Sequence, residues 1–92
     1  MFTKEQFGAR LRCLRQKHHE AQGVLGGLLG VTATQISDIE KGKASTTLEK
    51  LAAICEHYKV SADYLLGLTN DPTPVHREGV EGEMKARPSA AD

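Results

Sequence analysis

Residues 23–31 read GVLGGLLGV, four glycines among five aliphatics, and no other stretch limits so tightly what this chain can fold into. Glycine at this density suits a phosphate-cradling loop, a membrane helix packed through small residues, or a soluble helix that meets a tight turn. The membrane reading fails on length, because the apolar run ends within about ten residues, at Thr32 and Thr34, where a bilayer needs roughly 20. A phosphate loop of the Walker type needs a buried strand before it and Lys followed by Ser or Thr after the last glycine. Here Gly30 is followed by Val31-Thr32-Ala33 and no strand pattern precedes it; a dinucleotide fingerprint fails for the same reason.

The wider window Gln22–Glu40 gives the better account. Leu25, Leu29, Val31, Ile36 and Ile39 are apolar, Gly26 is small, Gly30 sits where the chain must turn, and Thr32 can cap a helix starting at Ala33. Two short helices crossing steeply need a tiny residue at the crossing and a glycine of positive φ between them.

The flanking segments also read as helices. Thr3-x-x-Gln6 is a capping box, and Phe7, Leu11 and Leu14 follow at i, i+4 and i+7, which predicts a helix over about 4–17. Leu48, Leu51, Ala52, Ile54, Cys55 and Tyr58 mark another amphipathic helix, with Thr46-x-x-Glu49 as its expected capping box. Ser61 caps a short last helix, Asp63 lies in its first turn, Tyr64, Leu65 and Leu66 form its buried side, and Gly67 can close it in left-handed geometry. After Thr69 the chain holds all three prolines, and its Val75, Val80 and Met84 fall on no stripe. Residues 69–92 are therefore expected to be a flexible tail, or one that folds on a protein partner. No alternation typical of strands occurs, so the expected fold is all-α, with the compact domain over 1–68.

Composition removes most functional classes. At 39% hydrophobic and 26% charged residues, without a membrane-length run or a signal-peptide layout, the chain reads as one cytoplasmic domain. Cys13 and Cys55 are far apart and lack the spacing of a zinc site or redox dithiol, and His18, His19, His57 and His76 form no ligand set with them, so no metal or cofactor is expected. No paired carboxylates and no nucleophile with a base share one face, which argues against an enzyme. Through Gly67 the chain carries nine Lys/Arg against seven Asp/Glu, a net of +2, and the remainder a net of −2. Such mild basicity leaves nucleic-acid binding dependent on where the charges sit.

Taken in order, Leu11-Arg12, Leu14-Arg15, Gln22, Leu28-Leu29-Gly30-Val31, Ile39-Glu40-Lys41-Gly42-Lys43 and Val60-Ser61-Ala62-Asp63-Tyr64-Leu65-Leu66-Gly67 resemble the lambda-repressor-like (Cro/XRE) helix-turn-helix family over about residues 7–69. The resemblance implies a compact five-helix domain that binds double-stranded operator DNA, with the helix from Ala33 to Glu40 or Lys41 entering the major groove. It implies base reading by Ala33, Thr34, Ser37 and Asp38, phosphate contacts from Gln22, Thr32, Gln35, Lys41 and Lys43, and a salt bridge between Arg15 and Glu40 that orients the recognition helix. The chemistry is compatible: Ala33 and the Thr34 methyl can meet thymine methyls, and Asp38 can accept from cytosine N4. The bland alternatives are a merely solvated helix face and two unrelated surface charges.

Departures from the family pattern cluster in one place. His19 replaces a linker glycine, Glu20 an apolar residue and Ala21 a capping residue, while Gly23 and Gly27 stand where the family usually has Glu, Ala, Gln or Lys. Each interior glycine costs about 0.8–1 kcal/mol relative to Ala and a lost cap about 1 kcal/mol, so helix two is expected to be the least rigid. The functional expectation is a phage-type transcriptional repressor acting as a homodimer on a pseudo-palindromic operator, with the last helix, Leu65 and Leu68 as candidate dimer contacts. The alternatives are an antitoxin or antirepressor-like interaction module that binds DNA weakly, and a restriction-modification controller.

Overall fold

A computed structural model describes residues 1–74; of the tail expected over 69–92, residues 75–92, with Val75, Val80 and Met84, lie outside the described residues. Five helices follow in order: α1 (Lys4–Lys17), α2 (Gln22–Leu29), α3 (Ala33–Glu40), α4 (Leu48–Tyr58) and α5 (Ala62–Leu65). Among the described residues there is no strand, and no helix is long and apolar enough to cross a membrane.

The apolar stripes converge as their spacing requires. Phe7, Leu11 and Leu14 of α1 meet Leu25 and Leu29 of α2, Ile36 and Ile39 of α3, and Ile54 and Tyr58 of α4, with Val60 and Leu65 closing the core. Thr3 accepts the Gln6 amide at 3.0 Å and starts α1. Ser61 does the same for α5, accepting from the Tyr64 amide at 3.1 Å, and Gly67 follows at φ 81°.

Gly30, at φ 73°, ends α2 in the left-handed region, and the Val31 amide then bonds back to the Gly26 carbonyl at 2.8 Å. A Cβ on Gly26 would lie 2.6 Å from the Val31 carbonyl oxygen. The residue must therefore be tiny, as expected, although what approaches it is the backbone of the turn. The second forced glycine has no counterpart in the sequence reading. A Cβ on Gly8, in the middle of α1, would collide with the Ile39 carbonyl and come within 2.6 Å of that of Glu40. The end of α3 thus rests directly on the α1 backbone.

Three expectations are corrected. Thr47, not Thr46, caps α4, accepting the Lys50 amide at 3.2 Å; the adjacent threonines are equally competent locally, and the packing of the chain chooses between them. The Thr46 hydroxyl is left buried without a partner among the described residues. Leu48 and Ala52, placed on the buried stripe of α4, are exposed, Leu48 by 80%, because α4 meets the core through Leu51, Ala53, Ile54, Cys55 and Tyr58; Leu48 borders an open apolar hollow with Phe2, Phe7, Leu51 and Leu66. Leu65 is wholly buried, so it offers nothing to a second copy; Leu68 remains exposed.

The chain beyond α5 turns back on the helices. The Arg10 guanidinium lies 4.2 Å from the centre of the Tyr64 ring, donates to the Tyr64 carbonyl and the Thr69 carbonyl, and reaches Asn70 Oδ1 at 2.6 Å. The Ser61 amide donates to the Pro72 carbonyl at 3.0 Å.

The glycines make the packing testable. Gly8→Ala is expected to destabilise the fold by about 1–3 kcal/mol, the range for atoms forced into a filled contact. Gly23 and Gly27 face open space, so replacing either with Ala is expected to add about 0.8–1 kcal/mol through helix propensity. Urea unfolding midpoints measure both, and a Gly8→Ala midpoint equal to the parent's would contradict the close approach of α1 to α3.

Candidate nucleic-acid interface

The recognition helix is set by its two isoleucines and its cap. Ile36 and Ile39 are buried, and at about 100° per residue this turns Thr34, Ser37, Asp38 and Lys41 away from the core. Ala33 and Thr34 are exposed at the helix start, Ser37 and Asp38 are half-buried, and Lys41 and Lys43 are exposed beyond its end.

Thr32 and Gln35 form a complete capping box: Thr32 Oγ1 accepts the Gln35 amide at 3.1 Å, and Gln35 Oε1 accepts the Thr32 amide at 2.9 Å. Both side chains are therefore engaged inside the protein, with Gln35 keeping its amide N–H groups for other contacts. Gly42, at φ 79°, is seated on α1, where an added Cβ would come within 2.9 Å of Glu5 Cα. This fixes the exit of α3 and holds Lys41 and Lys43 on either side of a rigid corner.

Behind α3 lies a buried charge cluster. The Glu40 side chain is 3% exposed. It accepts from Arg15 Nε at 2.6 Å and Arg15 Nη2 at 3.0 Å, a two-point pairing that fixes both position and orientation. The hydrogen bond to Glu40, opposed by burial, raises the already high basicity of Arg15. Gln22 Nε2 donates to Glu40 Oε1 at 3.1 Å, and Arg15 Nη1 donates to the Glu20 carbonyl at 2.7 Å. Helices α1, α2 and α3 are thus joined through one carboxylate, and Arg15 ties the α1–α2 loop to the same cluster.

That loop has poor local chemistry. His19 adopts φ 56°, a conformation that costs a residue with a Cβ roughly 1–2 kcal/mol, and Ala21 provides no side-chain cap for α2. Glu20 supplies the hold, its carboxylate accepting from the Tyr58 hydroxyl at 2.7 Å and meeting His57 Nε2 at 2.7 Å. Burial is the largest single influence on Glu20 and pushes its pKa up, but the Tyr58 and His57 bonds together outweigh it and hold the carboxyl below its ordinary value of 4.5. Burial first, then the bond to Glu20, keeps the Tyr58 phenol protonated. Nothing in the sequence announces a contact across this separation; the one hint is an acid where the family pattern has an apolar residue.

Residues 6–66 match the family described as "Helix-turn-helix domain". The chain is 37% identical over 65 residues to the uncharacterized HTH-type transcriptional regulator YobD of Bacillus subtilis, the match covering 71% of this chain and 58% of that protein. It therefore spans less than two thirds of that regulator's length. Among solved structures, the P22 c2 repressor in complex with synthetic operator 9T superposes with a TM-score of 0.61 at 35% identity, covering 65% of this chain and 91% of that one. The restriction-modification controller protein C.AhdI of Aeromonas hydrophila superposes with a TM-score of 0.60 at 24% identity, covering 67% and 94%, a likeness of fold alone.

Two clusters can be tested apart. Arg15→Met leaves a buried, unpaired Glu40 and is expected to destabilise the fold by about 3–5 kcal/mol, whereas the Arg15→Met/Glu40→Met pair should recover most of that loss. Chemical denaturation of the single and double variants checks this, and a double variant as unstable as the single one would contradict it. Because the folded-state pKa of Glu20 is lowered, its contribution to stability is present above the unfolded value and disappears as the pH falls through the folded one. Tyr58→Phe should therefore lower stability at neutral pH and flatten the acid limb below about pH 4.5, read from unfolding midpoints across that range.

Proposed function

The chain belongs to the helix-turn-helix domain family, of the lambda-repressor-like (Cro/XRE) kind, and on that premise we propose that it is a sequence-specific double-stranded-DNA-binding transcriptional repressor of phage type, acting in the cytoplasm as a homodimer. The observation that carries the reading is the open outer face of α3. Ile36 and Ile39 hold the helix from behind while Ala33 and Thr34 stay exposed at its N-terminal end, the end that contacts base edges when such a helix lies in the major groove.

In this reading Ala33, Thr34, Ser37 and Asp38 face the bases. Lys41 and Lys43 contact phosphates from the corner at Gly42, and Gln22, Thr32 and Gln35 do so with whatever donors their internal bonds leave free. The P22 c2 repressor, similar at 35% identity and solved on an operator, supports it. One short helix reads few base pairs, so two copies on half-sites about one helical turn apart multiply the contacts. With Leu65 inside the core, Leu68 and the outer side of α5 carry the dimer contact. The second reading, an antitoxin-like or antirepressor-like interaction module, draws on Val24 at 60% and Leu28 at 50% exposure on an uncharged α2.

Titration of an operator library at several salt concentrations is expected to give a steep negative dependence on salt and to select a two-fold symmetric site. Changing Lys41 and Lys43 together to Ala should weaken all sequences alike and lower the salt slope by about 2, given roughly one unit per phosphate contact. Thr34→Ala should instead change which sequence is selected. Binding that is insensitive to salt, with no sequence enriched, would leave the interaction module as the better account.

A further inference from the structure

The connection between α1 and α2 is held by one residue working in two directions. The Glu20 backbone is used on α1: its amide donates to the Arg15 carbonyl at 3.1 Å, and its carbonyl accepts from Arg15 Nη1 at 2.7 Å. Its side chain is used on the end of α4, where Oε1 accepts from the Tyr58 hydroxyl and Oε2 meets His57 Nε2, both at 2.7 Å. The same Arg15 holds Glu40 at the end of α3. A line of direct contacts therefore runs from α4 through Glu20 and Arg15 to the recognition helix.

Ahead of the buried Leu25, little else secures the entry of α2. His19 sits in the left-handed region, Ala21 provides no cap, and Gly23 weakens the first turn. Two residues past Glu20, Gln22 donates to Glu40, so the placement of this entry bears on the donors that converge on that carboxylate.

One partner in the contact changes charge near neutrality. Imidazole is the side chain that gains or loses its charge between about pH 5 and 8. As imidazolium, His57 gives Glu20 a hydrogen bond and an opposite charge; as neutral imidazole it gives at most the hydrogen bond. The other groups acting on Glu20 and Tyr58 are Arg15 and His18 from α1 and Glu40 from α3, and α2 has no charged residue. Arg15 and Glu40 are paired with each other. The His18 and His57 rings lie 4.9 and 4.7 Å from the Tyr58 ring, centre to centre. As the pH rises through the imidazole range, positive charge beside Glu20 is lost and the tie weakens. At the acid end, protonation of Glu20 removes the acceptor, but only below its ordinary value of 4.5.

We propose that Glu20 is a positioning residue for the recognition helix and that the protonation of His57 sets its grip: with the imidazolium present, the Tyr58–Glu20–His57 latch pins the entry of α2 and keeps Arg15 and Gln22 on Glu40, and with the imidazole neutral the entry loosens and operator binding weakens. This inference rests on the DNA-binding reading above and makes that binding sensitive to pH through residues remote from the bases.

The test uses the full chain, an operator selected from a random library, and anisotropy titrations at fixed salt at about pH 5.5 and about pH 8. The parent is expected to lose affinity on going to the higher pH by about two- to fivefold more than His57→Gln does, the range for a partly exposed charge pair. His57→Lys, which keeps a cation at both pH values, should stay tight at both. His18 and His19 titrate in every variant, so their effect on the field around the DNA cancels in the comparison. In the free protein, exchange of the Val24 and Leu25 amides, which bond to the Ala21 carbonyl, should follow the same order after correction for the intrinsic rate. With Glu20→Gln in place, exchanging Gln for Lys at position 57 should change neither readout. If His57→Gln keeps the parent's pH response, or if that exchange has the same effect with Glu20→Gln as without it, the latch is overturned and the DNA-binding reading stands. If the parent selects no duplex at either pH, that reading fails and takes the positioning role with it.

Discussion

Glu40 is the last residue of α3, the end where the helix dipole is negative and an anion is least welcome, and its carboxylate is almost wholly buried. Such a charge persists only where donors converge on it. Arg15 supplies two and Gln22 a third. A buried ion pair is weak evidence of net stability, because desolvation offsets most of the attraction, but it fixes orientation and is costly to break on one side. Here it fixes the angle at which α3 leaves the body, because Arg15 belongs to α1, Gln22 to α2, and Arg15 also holds the loop between them at the Glu20 carbonyl.

That pairing requires a close approach. The α3 terminus can reach Arg15 only because Gly8 lets the Ile39 and Glu40 carbonyls lie against the α1 backbone, and Gly42 repeats the device one step on, against Glu5. The two contacts hold α3 from below at its C-terminal end while Ile36 anchors its middle. The N-terminal end, the part proposed to meet bases, is held by its own capping box, by the turn at Gly30 and by the close approach of the Val31 and Thr32 backbone to Gly26. The proposed reading surface thus lies on the side of α3 opposite these contacts, and Lys41 and Lys43 project beside the end that rests on α1.

The α1–α2 connection shows tertiary structure overriding unfavourable local sequence. His19 in the left-handed region, Ala21 without a cap and two idle glycines in α2 all disfavour what is formed there. Glu20, reaching Tyr58 and His57 at the end of α4, ties the loop to the body, and Leu25 and Leu29 bury the inner side of α2. The outer side leaves Val24 and Leu28 exposed.

The sequence alone determined the helices and the turn, because capping residues, apolar spacing and the positive φ required at Gly30 act over a few neighbouring residues. The inward facing of Ile36 and Ile39, and with it the outward facing of Thr34, follows from the same periodicity. The Arg15–Glu40 pair was suggested only by the family pattern. The structure alone decided which of Thr46 and Thr47 caps α4, why Gly8 is a glycine, that Leu48 lies outside the core, and that Gln22, Glu20 and Arg10 spend hydrogen-bonding groups on distant partners. Local signals are carried by bonds between residues three or four apart, whereas these outcomes depend on which backbone surfaces come into contact once separate helices pack, and no single segment encodes that.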